Sequence, residues 1–165
     1  MQNPPNSSPL SLSFDEKIRD FNNMYGLPVN TVPTVLYGNP AHLAQRLKDF
    51  KKILSDELNE VDAIIAEIEM GHAVPVSILT ALADWLGDIE VYCASEMLKF
   101  GLDREMVLAI IMASNMSKLG EDGHPIYDST GKVLKGPNYW KPEPMIARYI
   151  EAAVRQHDKQ FGEDS

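Results

Sequence analysis

Apolar residues recur at steps of three and four through most of this chain, the spacing that lines one face of a helix. Ser13 offers an N-cap oxygen, Asp15 and Glu16 sit in the first turn where the helix dipole favours acids, and Phe14, Ile18 and Phe21 share a face. A short first helix ends at Gly26. The stretch LPVNTVPTVLYG holds two prolines and no period, so it reads as a linker laid over the surface. Asn39 before Pro40 is an N-cap with proline at the first helical position, and neither Gly nor Pro follows until Gly71. That predicts a helix of about eight turns. Its seam runs Leu43, Leu47, Phe50, Leu54, Val61, Ile64 and Ile68, and the position due between Leu54 and Val61 is Glu57. A carboxylate therefore occupies a core slot, with Glu60 three residues on and Asp56 bordering the same face.

A third helix is predicted from about Pro75 to Gly101, with an apolar stripe of Leu79, Leu82, Leu86, Ile89, Cys93, Met97 and Phe100. A second face of Ala81, Trp85, Val91 and Tyr92 lies roughly opposite, and Asp84 and Asp88 sit within it, one turn apart. A helix that is apolar on two sides is buried on two sides, so these aspartates are expected away from open solvent. Asp103 caps a fourth helix, apolar through Met106, Val107, Ile110, Ile111 and Met112, that ends at Gly120. Residues 120 to 142 hold four of the ten glycines and read as a turn-rich flap with room for a small hairpin. A last helix runs from about Glu143 to Phe161, with Met145, Tyr149, Ala152 and Ala153 along one side.

The organisation expected is a flexible tail over 1–12, one all-α domain over 13–161 and a short polar tail over 162–165. The fold class is an all-α bundle of about five helices with a Gly-rich flap, completed by oligomerisation, because the second apolar face of the third helix needs a partner. Hydrophobic residues make up 44% of the 165, enough to fill the core of a domain of this size.

Charge narrows the function classes. Fifteen Lys and Arg stand against 24 Asp and Glu, a formal net of −9, so the overall field repels a nucleic-acid backbone and no polymeric nucleic acid is expected as a partner. No apolar run approaches the roughly 18 residues that span a bilayer, which leaves no membrane partner. One cysteine, Cys93, and no basic-then-apolar leader make a reducing, cytoplasmic setting the expectation.

Two long helices joined at Gly71 should pack antiparallel, which brings Asp56, Glu57 and Glu60 to the level of Asp84 and Asp88. Five carboxylates at one level must either protonate or bind cations. Oxygen-only ligation suits Mg2+ or Mn2+, and carboxylate-held magnesium keeps positions open for water and substrate phosphates. Asn115, Lys118 and the flap lysines Lys132, Lys135 and Lys141 could neutralise charge on those phosphates. The competing reading is that the acids are a solvated face and the lysines ordinary surface. Trp85 and Tyr92 read as core or interface residues.

The order Asp56-Glu57-x-x-Glu60 then Asp84-x-x-x-Asp88 on successive helices resembles the all-α nucleoside triphosphate pyrophosphohydrolases, the MazG-like and phosphoribosyl-ATP pyrophosphohydrolase-like superfamily. That family's signature is EExxE followed by ExxD. The opening RDFNNMYGLPV and the closing SNMSKL and DGHPIYDSTGKVLKGPNYWKP resemble a MazG-like branch, so the likeness covers most of residues 14 to 142. It implies a Mg2+ site, with Mn2+ as a possible substitute, on Glu57, Glu60 and Asp88. Asp56 stands for the leading Glu, and Asp84 substitutes for the Glu whose place Trp85 takes. Asn115 and Lys118 match residues that contact substrate phosphate or sugar. Asn22 stands where relatives contact the base, and Lys132, Lys135, Asn138 and Tyr139 of the flap complete the substrate-binding candidates.

The reaction implied is attack of a metal-activated water on the α-phosphorus of a nucleoside triphosphate, releasing the monophosphate and pyrophosphate, with Glu57 or Glu60 accepting the proton. A homodimer or homotetramer is implied as well. Two other classes compete: a non-catalytic nucleotide-binding or helical interaction module, favoured by Trp85, and a di-iron carboxylate bundle. The last would want Glu-x-x-His pairs, and the chain has none.

Overall fold

The structure is a computed structural model that describes residues 12–35, 38–71 and 74–161. Among these residues there are five α-helices and no β-strand: α1 (Phe14–Met24), α2 (Pro40–Glu69), α3 (Pro75–Lys99), α4 (Arg104–Met116) and α5 (Glu143–Phe161). The all-α class holds. The expected tails lie outside the described residues apart from Leu12. Helix starts follow the capping chemistry: Ser13 and Glu16 form a reciprocal capping box, Asn39 accepts from the Ala41 amide at 2.8 Å, and Asp103 accepts from the Met106 amide at 2.9 Å.

The chain divides into two compact units, one of residues 1–29 and 34–100, the other of residues 30–33 and 101–165. In the first unit α3 is the central element, packed by α2 along one side and by α1. Two side-chain bonds fix the α2–α3 register: Arg46 to Glu96, and the Trp85 indole to the Glu57 carbonyl. Both pairs are centred on residue 71, so the two helices run antiparallel about that turn. On α2 the less exposed positions are Leu43, Arg46, Phe50, Ile53, Leu54, Glu57, Val61 and Ile64. Glu57 thus occupies the slot that the period assigns to it.

On α3 the structure departs from the expected stripe. The side turned to α2 carries Ile78, Ala81, Trp85, Ile89 and Tyr92, while Leu79 and Leu86 are 65% and 55% exposed. Where a helix is apolar on two sides, hydropathy does not choose which one packs within the chain. The aromatic side does so here because it also brings the Trp85 indole as a hydrogen-bond donor. Toward its C-terminus α3 buries Ala94, Ser95, Glu96 and Lys99. Glu96 and Lys99 are only 6% and 7% exposed, and Glu96 is held by Arg46 Nε at 3.0 Å and by Lys99 Nζ at 3.1 Å. A charge taken out of water is tolerable only when paired in this way. The sequence carried a signal for this cluster that we did not use: Arg46 falls on the seam of α2 between Leu43 and Phe50.

In the second unit α4 buries Val107, Ile110 and Ser114, and leaves Met106 and Met112 about half exposed. α5 meets it with Ile146, Tyr149, Ile150, Ala153 and Val154, a face rotated from the expected one, for Met145 and Ala152 are exposed. The Tyr149 hydroxyl accepts from the Asp103 amide at 3.0 Å. Gly101 has φ +66°, and a Cβ there would lie 2.0 Å from the carbonyl oxygen of Val32, so only glycine allows the backbone to pass.

Candidate functional site

In the first unit, Glu57 is the centre of the acidic constellation. Its backbone carbonyl accepts from the Trp85 indole at 2.8 Å. The second carboxylate oxygen, Oε2, is buried and has no hydrogen-bond partner. Burial pushes the Tyr92 phenol above its ordinary pKa, and the charges of Glu57, Asp88 and Glu60 push it in the same direction. Three carboxylates from two helices therefore act on one hydroxyl.

Helical geometry explains the grouping. With 3.6 residues per turn, Glu60 lies about 60° round α2 from Glu57, and Asp88 lies about 60° round α3 from Trp85. On an antiparallel pair, equal rotations from the facing seam reach the same side, so both acids border one rim. Asp56 and Asp84 lie about 100° round, farther from the seam on that rim. Leu58, Ile65, Leu79 and Leu86 fall on the opposite rim, and all four are exposed. The hairpin is acidic along one edge and apolar along the other.

Glu57, Glu60 and Asp88 have in common that their charges act on the Tyr92 phenol. Asp84 borders a shallow hollow lined by Val76, Leu79, Thr80 and Ala83, and Asp56 is exposed. The expectation that Asp84 and Asp88 avoid solvent within the chain is not met, since both are exposed. Among the described residues no three His, Cys, Asp or Glu side chains stand close enough to hold a metal ion. Trp85, in the position where ExxD has its Glu, is turned into the seam as a donor to α2. Sequence reads Trp85 and Tyr92 as core or interface residues. Their signal was register: they lie two turns apart on one face, with Asp88 between them.

Asn22 is a correction. The side chain is 0% exposed, Nδ2 donates to the carbonyls of Pro28 at 3.2 Å and Ser95 at 3.3 Å, and Oδ1 accepts from Ser95 Oγ at 2.6 Å. Both donors and one acceptor site of the amide are used inside the protein, so Asn22 fastens α1 to α3 and is not carried forward as a base contact.

In the second unit, Lys118 Nζ donates to Asn115 Oδ1 at 2.7 Å, one turn apart at the end of α4. The flap backbone docks on this end. The Gly136 amide donates to the Lys118 carbonyl at 3.0 Å, Ser114 Oγ donates to the Trp140 carbonyl at 2.8 Å, and the Trp140 amide donates to Ser117 Oγ at 3.3 Å. The hairpin expected in the flap is present as a turn with a single bridge between Tyr127 and Val133. Asp128 builds its tip, accepting from the Thr130 amide and hydroxyl and from the Lys132 amide; these bonds hold its carboxyl below the usual range. Lys132 and Asn138 are exposed, and the Lys135 ammonium sits 4.6 Å from the centre of the Tyr139 ring.

Neither a protein-family model nor a curated protein sequence matches this chain. Among solved structures, a chain from Exiguobacterium sp. 255-15, provisionally described as an NTP pyrophosphohydrolase, is similar over 90% of this chain and 98% of its own length. The identity is 21% and the TM-score 0.46. No helix among the described residues is long and apolar enough to cross a membrane.

Proposed function

We propose that the chain is a Mg2+-dependent nucleoside triphosphate pyrophosphohydrolase that converts an NTP or dNTP to the monophosphate and pyrophosphate. The observation that carries this reading is Glu57 Oε2, a buried oxygen without a partner, set in an apolar seam with Glu60 and Asp88 on the adjoining rim. Such an oxygen has lost its hydration and gained nothing from the protein, and a divalent cation with hard-oxygen preference is the ligand that restores the balance. The donor chemistry fits Mg2+ or Mn2+. Glu57, Glu60 and Asp88 would hold the ion, with the exposed Glu60 and Asp88 turning inward to close the set, and Asp56 and Asp84 adding negative potential along the rim. The ion, when bound, supplies a water of lowered pKa.

The chain's own residues do the rest. Glu57 or Glu60 accepts the proton of the attacking water. Taken by itself, the second unit carries groups of the kind that bind phosphate oxygens: the Asn115–Lys118 pair, Lys132, Lys135, Asn138 and the Tyr139 hydroxyl. The exposed apolar rim supports assembly as a homodimer or homotetramer.

Pyrophosphate release from a panel of canonical and modified ribo- and deoxynucleoside triphosphates, with Mg2+, Mn2+ or EDTA, tests the reading. Metal-dependent release that disappears in Glu57→Gln supports it. A second reading, a nucleotide-binding module without turnover, is favoured by the absence of any three closely set acids among the described residues and by Trp85 in the second motif. Nucleotide binding with silence across the panel would select it.

A further inference from the structure

We propose that Trp85 is a positioning residue for the Glu57 cation site: its indole N–H, by donating to the Glu57 carbonyl, holds α2 against α3 at the level from which Glu57 presents its unshared oxygen. The inference rests on the metal-site reading above and adds to it a residue outside the acidic set. The contact is direct, Nε1 to carbonyl oxygen at 2.8 Å, and joins residues 28 apart in sequence. That carbonyl lies in the interior of α2 and already closes an intrahelical bond, so it needs no second donor. The indole is the group in need, because a Trp N–H withdrawn from water requires an acceptor. Phenylalanine or leucine would have filled the seam without that demand.

The bond acts together with a second one, from Arg46 Nε to Glu96 Oε1 at 3.0 Å. Arg46 lies eleven residues before Glu57, and Glu96 lies eleven after Trp85, so the two bonds specify one register at levels about 16 Å apart along the hairpin. Of the two, the Trp85 bond is the one at the acids. It is made to residue 57 itself, whose Oε2 is buried without a partner, and Asp88 follows three residues later on α3. A slip of one residue would move α2 about 1.5 Å along α3. That is a large part of the roughly 2.1 Å between Mg2+ and a ligand oxygen, so carboxylates supplied by both helices can serve one ion only while the register is held.

The test uses the full chain carrying Trp140→Phe, so that position 85 holds the one tryptophan, with Mn2+ as the probe. Mn2+ should bind, read from the spin-resonance signal of the free ion, and should quench the Trp85 emission; Glu57→Gln should abolish both. Replacing Trp85 by its benzothiophene isostere, which keeps the ring shape and lacks the N–H, should weaken Mn2+ binding about 3- to 10-fold. Fluorotryptophan, which keeps the N–H, should restore it. Equal Mn2+ affinity in the isostere and tryptophan chains, whatever happens to the metal-free thermal midpoint, would reduce Trp85 to a residue of the seam and overturn its role while leaving the metal site standing. Weakening that the fluorotryptophan chain shares would trace to the ring and overturn it too. No Glu57-dependent Mn2+ binding in the tryptophan chain would overturn both readings. Should the isostere chain not fold, the emission still decides: Mn2+ bound through Glu57 without quenching of Trp85 would place the ion away from the indole and sink the proposal.

Discussion

Asn22 and Ser95 bond each other twice: Ser95 Oγ donates to Asn22 Oδ1 at 2.6 Å, and Asn22 Nδ2 returns a bond to the Ser95 carbonyl at 3.3 Å. The pair joins α1 to α3 across 73 residues of sequence, with no solvent at Asn22. Asn22→Ala removes the amide and leaves the Ser95 hydroxyl and the Pro28 carbonyl short of partners, so it should cost about 2–4 kcal/mol. Urea unfolding at unchanged m-value is the measurement.

Glu96 is held by Arg46 and Lys99, two cations against one buried carboxylate. Glu96→Gln leaves both ammonium and guanidinium groups facing a neutral amide in a dehydrated seam. It should destabilise the chain by about 3 kcal/mol or more. Salt screens an exposed pair but reaches this one little, so the loss should be nearly the same in denaturation at low and at high ionic strength.

Glu57→Gln should leave the metal-free chain as stable as the wild type or more so, because the substitution takes away a buried carboxylate with one oxygen unbonded. The same variant should show no turnover. A marked drop in the metal-free thermal midpoint would instead make Glu57 a structural partner of the seam.

Asp128 predicts a pH response of the flap. Its carboxyl is held below the ordinary 3.8 by the Thr130 and Lys132 donors, so the folded pKa lies under the unfolded one. The contribution is then present above the unfolded value and is lost as pH falls through the folded value. Amide exchange at Thr130 and Lys132 should therefore stay protected at pH 5 and open on the acid side of about pH 4. In Asp128→Ala the protection should be missing at every pH.

Gly136→Ala places a Cβ 1.9 Å from the Leu119 carbonyl oxygen, a distance no side chain tolerates. The flap segment must lift from the end of α4, with loss of the Gly136 to Lys118 bond. Faster proteolysis between 120 and 142, with the circular dichroism of the helices little changed, is the expected result.

Helix positions and most of the α2 seam were legible from spacing alone, down to Glu57 in its core slot, although Leu47 and Ile68 of the expected seam are 50% and 47% exposed and Ile53 is the less exposed position instead. The faces of α3 and α5 were less so. Leu79 and Leu86 are as apolar as the residues that pack, and what decided against them within the chain is the bond of the Trp85 indole to the Glu57 carbonyl, a relation between helices that no single helix's pattern contains. Asn22 illustrates the converse. Its place four residues after Ile18 puts it on the buried face of α1, yet the resemblance implied a base contact there; only the partners Pro28 and Ser95 reveal that it is satisfied internally. Of the acids, spacing indicated which ones share a rim, and burial sets apart only Glu57, the one with a buried carboxylate oxygen.

The chain has two tryptophans, and each unit holds one: Trp85 bonded to the Glu57 carbonyl, and Trp140 clasped by Ser114 and Ser117. Nature has thus supplied each half with its own fluorophore. In Trp85→Phe and Trp140→Phe chains the remaining emission follows one half alone, so coincident midpoints would mark a single cooperative transition, and a gap between them would measure how independently the halves melt.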